Sequence, residues 1–233
     1  MIWLRKRSAV RAAGAIAAAS LVLATVPATA TVVGASTGLE AQVFAALNAM
    51  RAEPGAHVAD LRSYRQHLRG KIVTMPGTRI SYRTREGAVP VDEALTFLSG
   101  AGGRVQLASD PVLAAAAADH VAQQSRSGRT GHFGADGSGP WSRVERRGGG
   151  GMVTEVIAYG AFDAADVVRQ LVVDDGVPNR GHRRAVFASH LRYAGVACGP
   201  HPTFRTMCVI DMADAPGGQM DDRSARFRIA SAR

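Results

Sequence analysis

Four positions in this sequence carry side chains suited to metal or acid–base chemistry: His132, Glu155, His182 and one of the adjacent Asp174 and Asp175. His132 lies in the string Gly131-His132-Phe133-Gly134-Ala135-Asp136-Gly137-Ser138-Gly139-Pro140-Trp141-Ser142-Arg143. Glu155 lies in Thr154-Glu155-Val156-Ile157-Ala158-Tyr159-Gly160, and His182 in Val177-Pro178-Asn179-Arg180-Gly181-His182-Arg183. Two imidazoles with one or two carboxylates can hold a divalent ion, zinc most naturally. Here the donors would be His132, His182 and Glu155, with a position left open for water or a ligand. The same groups can instead form a hydrogen-bonded cluster that takes no metal. Taken singly, each has a plainer account, since a lone His is usually packed or at the surface and a lone Glu faces solvent.

Asp174 and Asp175 end a predicted helix and so face the negative pole of its macrodipole, at a cost of about a few tenths of a kcal/mol each. A local rule broken without evident gain marks a functional site. Arg180, Arg183 and Arg184 are nevertheless close enough in sequence to pair with these acids at the surface.

Other strings fail on their context. Gly34-Ala35-Ser36-Thr37-Gly38 fits a nucleophile-elbow pattern, but no strand precedes it. The glycines 148–151 lack the Lys-Ser/Thr of a phosphate loop. Asp136-Gly137-Ser138-Gly139 begins like a calcium loop, and no acid completes it at the needed spacing, so a tight turn is the better reading.

The elements that must position the four segments can be read from periodicity and caps. Val43, Leu47 and Met50 share a face of a helix over residues 39–53, stopped by Pro54-Gly55. A weaker helix is expected over 56–68, and a short one over 91–98. Asp110-Pro111 caps and opens an Ala-rich helix that runs to about Ser125. Asp163 caps another, with Ala164, Val167, Val168, Leu171 and Val172 as its buried stripe and Gly176 and Pro178 as its end. Residues 192–212 read as a β-hairpin. If Cys198 pairs with Cys208 across it, Val196 faces Ile210 and Ala194 faces Met212, which puts one apolar face and the disulfide on the same side.

The chain has 233 residues and a formal charge of +9. Arg5, Lys6, Arg7 and Arg11 precede an apolar stretch that ends at Ala28-Thr29-Ala30, the three-part pattern of a secretory signal peptide over residues 1–30. An uncleaved membrane anchor would need roughly 18–20 apolar residues, and this stretch is shorter, so no transmembrane span is expected in the mature protein. Taking the leader's four positive charges from +9 leaves about +5. The arginines are scattered, with no run of like charges and no aromatic interleaving, which argues against a nucleic-acid partner. Two cysteines in an exported protein are expected as a disulfide, in a secreted or periplasmic compartment.

Together the four segments resemble the CAP superfamily: the cysteine-rich secretory proteins, insect antigen 5, plant pathogenesis-related proteins and, most closely, the bacterial SCP-like extracellular branch. The His132-to-Arg143 string and Gly181-His182-Arg183 carry the likeness. Glu155 sits where the family has Gly-Glu-Asn followed by Ile or Leu. Thr154 and Val156 depart from that Gly and Asn. The order of helix, His, Glu, helix, acid, His and hairpin is also the family's. The resemblance covers residues 104–213, with a weaker match at the helix that opens at Leu39.

The resemblance implies an α+β fold, a three-layer α-β-α sandwich of CAP type with a C-terminal disulfide-linked β-hairpin. The domain would span 39–213, after a flexible lead-in over 31–38, with an insertion over 70–103 and a mobile tail over 214–233. The cavity would be lined by His132, Glu155, His182 and a second acid, Asp175 or Asp174, where the family normally has the longer Glu. The implied function is a secreted, non-enzymatic binding protein whose cavity takes a divalent metal such as zinc. Adjoining grooves would hold an extracellular or envelope ligand such as a lipid. A metal-assisted hydrolase of envelope peptides or lipids, and a structural envelope protein, are the alternatives.

Overall fold

The computed structural model describes residues 38–74 and 81–219. The expected signal peptide, nearly all of the lead-in and residues 220–233 of the expected tail lie outside the described residues. The helix that opens the domain, α1, runs Leu39–Ala52 and buries Val43, Leu47 and Met50. A 3-10 turn at Pro54–His57 leads into α2, Val58–Gln66. The short strands β1 (Leu68–Arg69), β2 (Ile72–Thr74) and β3 (Ser81–Arg83) form a small antiparallel sheet, and α3 follows at Val89–Gly100.

The main sheet begins at β4, Ala108–Ser109, and α4 follows at Pro111–Ser127. The Asp110 side chain accepts from Leu113 N at the start of α4, and Gly128 ends it in the left-handed region (φ 65°). Then come α5 (Pro140–Arg146), β5 (Thr154–Tyr159), α6 (Ala164–Val173) and α7 (Gly181–Val186). The hairpin of β6 (Tyr193–His201) and β7 (Arg205–Ala213) closes the domain. In the sheet the order is β4-β6-β7-β5, with β4 parallel to β6 and the other pairs antiparallel.

Alternation along the strands creates the three layers. Ala194, Cys208, Ile210, Met212 and Val156 point toward α1 and α6 and join their buried stripe. On the other face Ala197, Met207, Val209 and Ile157 meet Ala117 and Val121 of α4. Gly195 admits α4 to that face, since a Cβ there would stand 1.9 Å from the Ala114 nitrogen. The hairpin register pairs Cys198 with Cys208, Val196 with Ile210 and Ala194 with Met212, and the two cysteines are bridged.

Differences from the sequence expectation have local causes. Asp174, not Gly176, ends α6 in the left-handed region (φ 58°), a conformation that Asp tolerates better than most residues. Strand β5 goes unannounced because its four central residues are all buried, so no polar–apolar alternation marks it. Part of the expected tail is docked: Pro216–Gly218 forms a 3-10 turn, and Gly217 N donates to Asp110 Oδ2.

Candidate functional site

Among the described residues β5 is the last strand on its side of the main sheet, and loops of both helical layers meet beside it. On the α4 side, Gly131 sits in the left-handed half of backbone space (φ 93°) and its N–H donates to Tyr159 Oη. Its carbonyl accepts from Gln124 Nε2 at 2.6 Å, and Tyr159 in turn donates to Gln124 Oε1. These bonds fix the backbone that carries His132.

Glu155 projects from β5 toward the same side, with its side chain 1% exposed. Its Oε1 lies 2.8 Å from His132 Nδ1, and its Oε2 accepts from Arg143 Nη2 at 2.5 Å. Arg143 is fully buried and also donates to the carbonyls of His132 and Ser138. A carboxylate so far from water is tolerable only when paired and hydrogen-bonded, and Arg143 meets that need.

On the α6 side, the acid is Asp174. Its Oδ1 lies 2.7 Å from His182 Nδ1, and its Oδ2 accepts from His182 N at 2.8 Å. Asp174 closes α6 and at the same time caps the first turn of α7, so the unfavourable pole of one helix is offset by the favourable pole of the next. Asp175 turns away from the imidazoles and accepts from the N–H groups of Arg85 and Glu86. The cavity set therefore contains Asp174 where Asp175 was expected. The left-handed turn at Asp174 sends the two adjacent side chains in different directions.

The His132 and His182 rings stand 6.3 Å apart between centroids, inclined by 52°. Their side chains are 43% and 25% exposed, whereas both carboxylates are 1% exposed. Each ring thus holds its Nδ1 against a buried acid and turns Nε2 away from it, so that each carboxylate orients one ring. Among the described residues no three His, Cys, Asp or Glu side chains form a group able to hold a metal. Glu155, expected as a third ligand, has both oxygens engaged by His132 and Arg143. A divalent ion at this point would be held by two imidazoles, with its other positions filled by water or ligand.

Sequence reasoning missed Asp211. It lies on β7 between Gly195 and Glu155 in register, fully buried. Among the described residues neither of its oxygens meets a partner at good hydrogen-bond geometry, although Glu155 stands beside it, and Arg143 Nε and His120 Nδ1 are likewise unpaired there. Burial first, then the charge of Glu155, pushes the Asp211 carboxyl well above the usual range, so the neutral acid is favoured. Burial also pushes the His120 imidazole down. An acid interrupting the apolar run Cys208-Val209-Ile210-Met212 was the signal that could have found it.

A second concavity, apart from these imidazoles, opens between α1, α2, α3 and α6. Its cavity volume is about 90 Å³. Met50, Leu61, Leu98, Val168 and Val172 form its apolar wall, and His57, Asp60 and Arg169 line it too.

A sheet between two helical layers, with facing His–carboxylate pairs beside its β5 strand, defines a scaffold of the CAP type. The model of the cysteine-rich secretory protein family (CAP) matches residues 44–212, more than half of the chain, and the chain belongs to that family. No curated protein matches the sequence. Among solved structures, an outer surface protein from Borrelia burgdorferi is similar at 16% identity and a TM-score of 0.39, covering 47% of this chain and 77% of that one. No helix among the described residues is long and apolar enough to cross a membrane.

Proposed function

We propose that this chain is an exported, non-enzymatic binding protein whose His132–His182 pair takes a divalent ion such as zinc. The observation that carries the reading is the paired geometry: two rings 6.3 Å apart, each held through Nδ1 by a buried carboxylate. Carboxylate-held imidazoles are more basic at Nε2 and lose little rotational freedom on binding. A bound ion would supply a positive centre for an anionic or carbonyl oxygen of the ligand. Glu155 and Asp174 orient the rings, Arg143 donates to Glu155 Oε2 from behind, and the low exposure of both acids keeps water from competing for them. The apolar cavity beside α1 and α6 is the second part of the proposal, a groove for an aliphatic ligand such as a lipid. The signal-peptide pattern and the Cys198–Cys208 bridge support export.

Melting curves with zinc and with chelator test the metal reading. Imidazoles bind metal only as neutral rings, so protons compete with the ion: zinc should raise the melting temperature at pH 7.5 and do little at pH 5. At a hundredfold excess over Kd the gain is about 2.7 kcal/mol. The His132→Ala, His182→Ala double variant should lose the response. An equal zinc shift in both proteins would place the metal elsewhere and end the assignment.

A further inference from the structure

The segment between α1 and β4 reaches the His182 turn and grips it from outside. Arg180 lies two residues before His182 in the left-handed region (φ 49°), a strained backbone for a long side chain that needs its surroundings to hold it. The Arg180 guanidinium makes a two-pronged pair with Glu86, Nη1 to Oε1 at 2.7 Å and Nη2 to Oε2 at 2.9 Å. Its Nε donates to Glu93 Oε2 at 2.7 Å. Such forked pairs fix direction as well as distance. The same guanidinium donates to the carbonyls of Asp174 and Val177. Glu86 Oε1 also accepts from Gly176 N at 2.6 Å, and Asp175 returns the contact to the N–H groups of Arg85 and Glu86. Gly176 suits that place because its φ of 82° is a backbone that residues with a side chain rarely adopt.

We infer that Glu86 and Arg180 are positioning residues for His182. The chain of contacts runs from Glu86 through Arg180 to the backbone of Asp174, whose carboxylate holds His182. The contacts of Glu86, Glu93 and Asp175 all fall on residues 174–183 or on the segment that clamps them, and none falls on the His132 loop. The clamp therefore acts on one ring of the pair. A pair that offers only two protein donors depends on ring placement more than a closed site of four does, because no third side chain corrects an error. The inference deepens the binding reading and rests on it for its use, but its geometry stands without metal.

The test is imidazole nitrogen NMR of the metal-free protein, wild type against the Glu86→Gln, Glu93→Gln double variant and against Arg180→Lys. Each spectrum is taken ten degrees below that protein's own melting temperature. In the wild type His182 should be a single tautomer with the proton on Nδ1 and slow exchange of that proton. In both variants His182 should become a tautomer mixture with exchange at least tenfold faster, while the His132 signals stay in place. Zinc affinity, measured by calorimetry, should fall at least tenfold alongside. If the double variant fails to fold, Glu93→Gln alone should give a smaller change of the same kind. Unchanged His182 signals in a folded variant, or equal changes in His132 and His182, would overturn the inference. A wild type that binds no zinc, with His182 still loosened in the variants, would end the metal reading and leave the positioning role standing.

Discussion

Arg143 and Asp211 show how much of the site lies behind the two imidazoles. Arg143 neutralises a carboxylate that water cannot reach, so Arg143→Leu should destabilise the protein by about 3–5 kcal/mol, the cost of leaving a buried charge unpaired. Adding Glu155→Gln should restore a large part of that loss, because it removes the orphaned charge; denaturant titrations of the single and double variants would measure both. Asp211 sets a different dependence. Its carboxyl titrates higher in the folded protein than in the unfolded chain, so the folded state binds the extra proton once pH exceeds about 4. Stability should therefore decline as pH rises from that point toward the folded-state value. Asp211→Asn keeps the neutral shape and should flatten this decline in melting temperature between pH 5 and 9. A decline of the same size in the variant would show that the cause lies elsewhere.

Elements transmit these demands. The hairpin disulfide closes a short loop and is worth roughly 2–3 kcal/mol in the chain-entropy account, so the Cys198→Ser, Cys208→Ser variant should unfold at correspondingly lower denaturant with the same fold. Gly195→Ala should cost about 3 kcal/mol by forcing α4 off the sheet, an overpacking effect readable in the same titration. The contact between the 84–93 segment and α7 has its own pH signature. Arg180 and the Gly176 N–H hold the Glu86 carboxyl at about 2, below its ordinary range. That contribution is complete above the unfolded value near 4.5 and is lost as pH falls toward 2. Glu86 is 30% exposed, so solvent screening makes the effect modest. Acid titration of Glu86→Gln should show a shallower loss of stability in that window than the wild type.

For the molecule as a whole, the elements with caps and clear periods could be read from the sequence, and those held by distant contacts could not. Asp110-Pro111, Asp163 and the Cys198–Cys208 register carry their own signals, and the structure has α4, α6 and the hairpin there. β5 and α7 depend on both helical layers closing over the sheet edge, and neither shows a local period that would announce it. The same division runs through the site. His132, Glu155 and His182 were visible as residues in a motif order. The exchange of Asp175 for Asp174 turns on one left-handed residue, and the roles of Arg143, Asp211 and Arg180 turn on partners 12 to 94 positions away.

We propose that His132 and His182 jointly hold a divalent ion, with Glu155 and Asp174 behind them. Crystals of the protein grown with zinc at pH 7.5 and measured at the zinc absorption edge test it most directly. Joint coordination should give one strong anomalous peak about 2.0–2.1 Å from Nε2 of both imidazoles, with water or ligand completing the coordination. The Nδ1 contacts to Glu155 and Asp174 should be unchanged. A peak bound by only one of the two rings, a peak on the Glu155 oxygens, or no peak between the imidazoles at saturating zinc would contradict it.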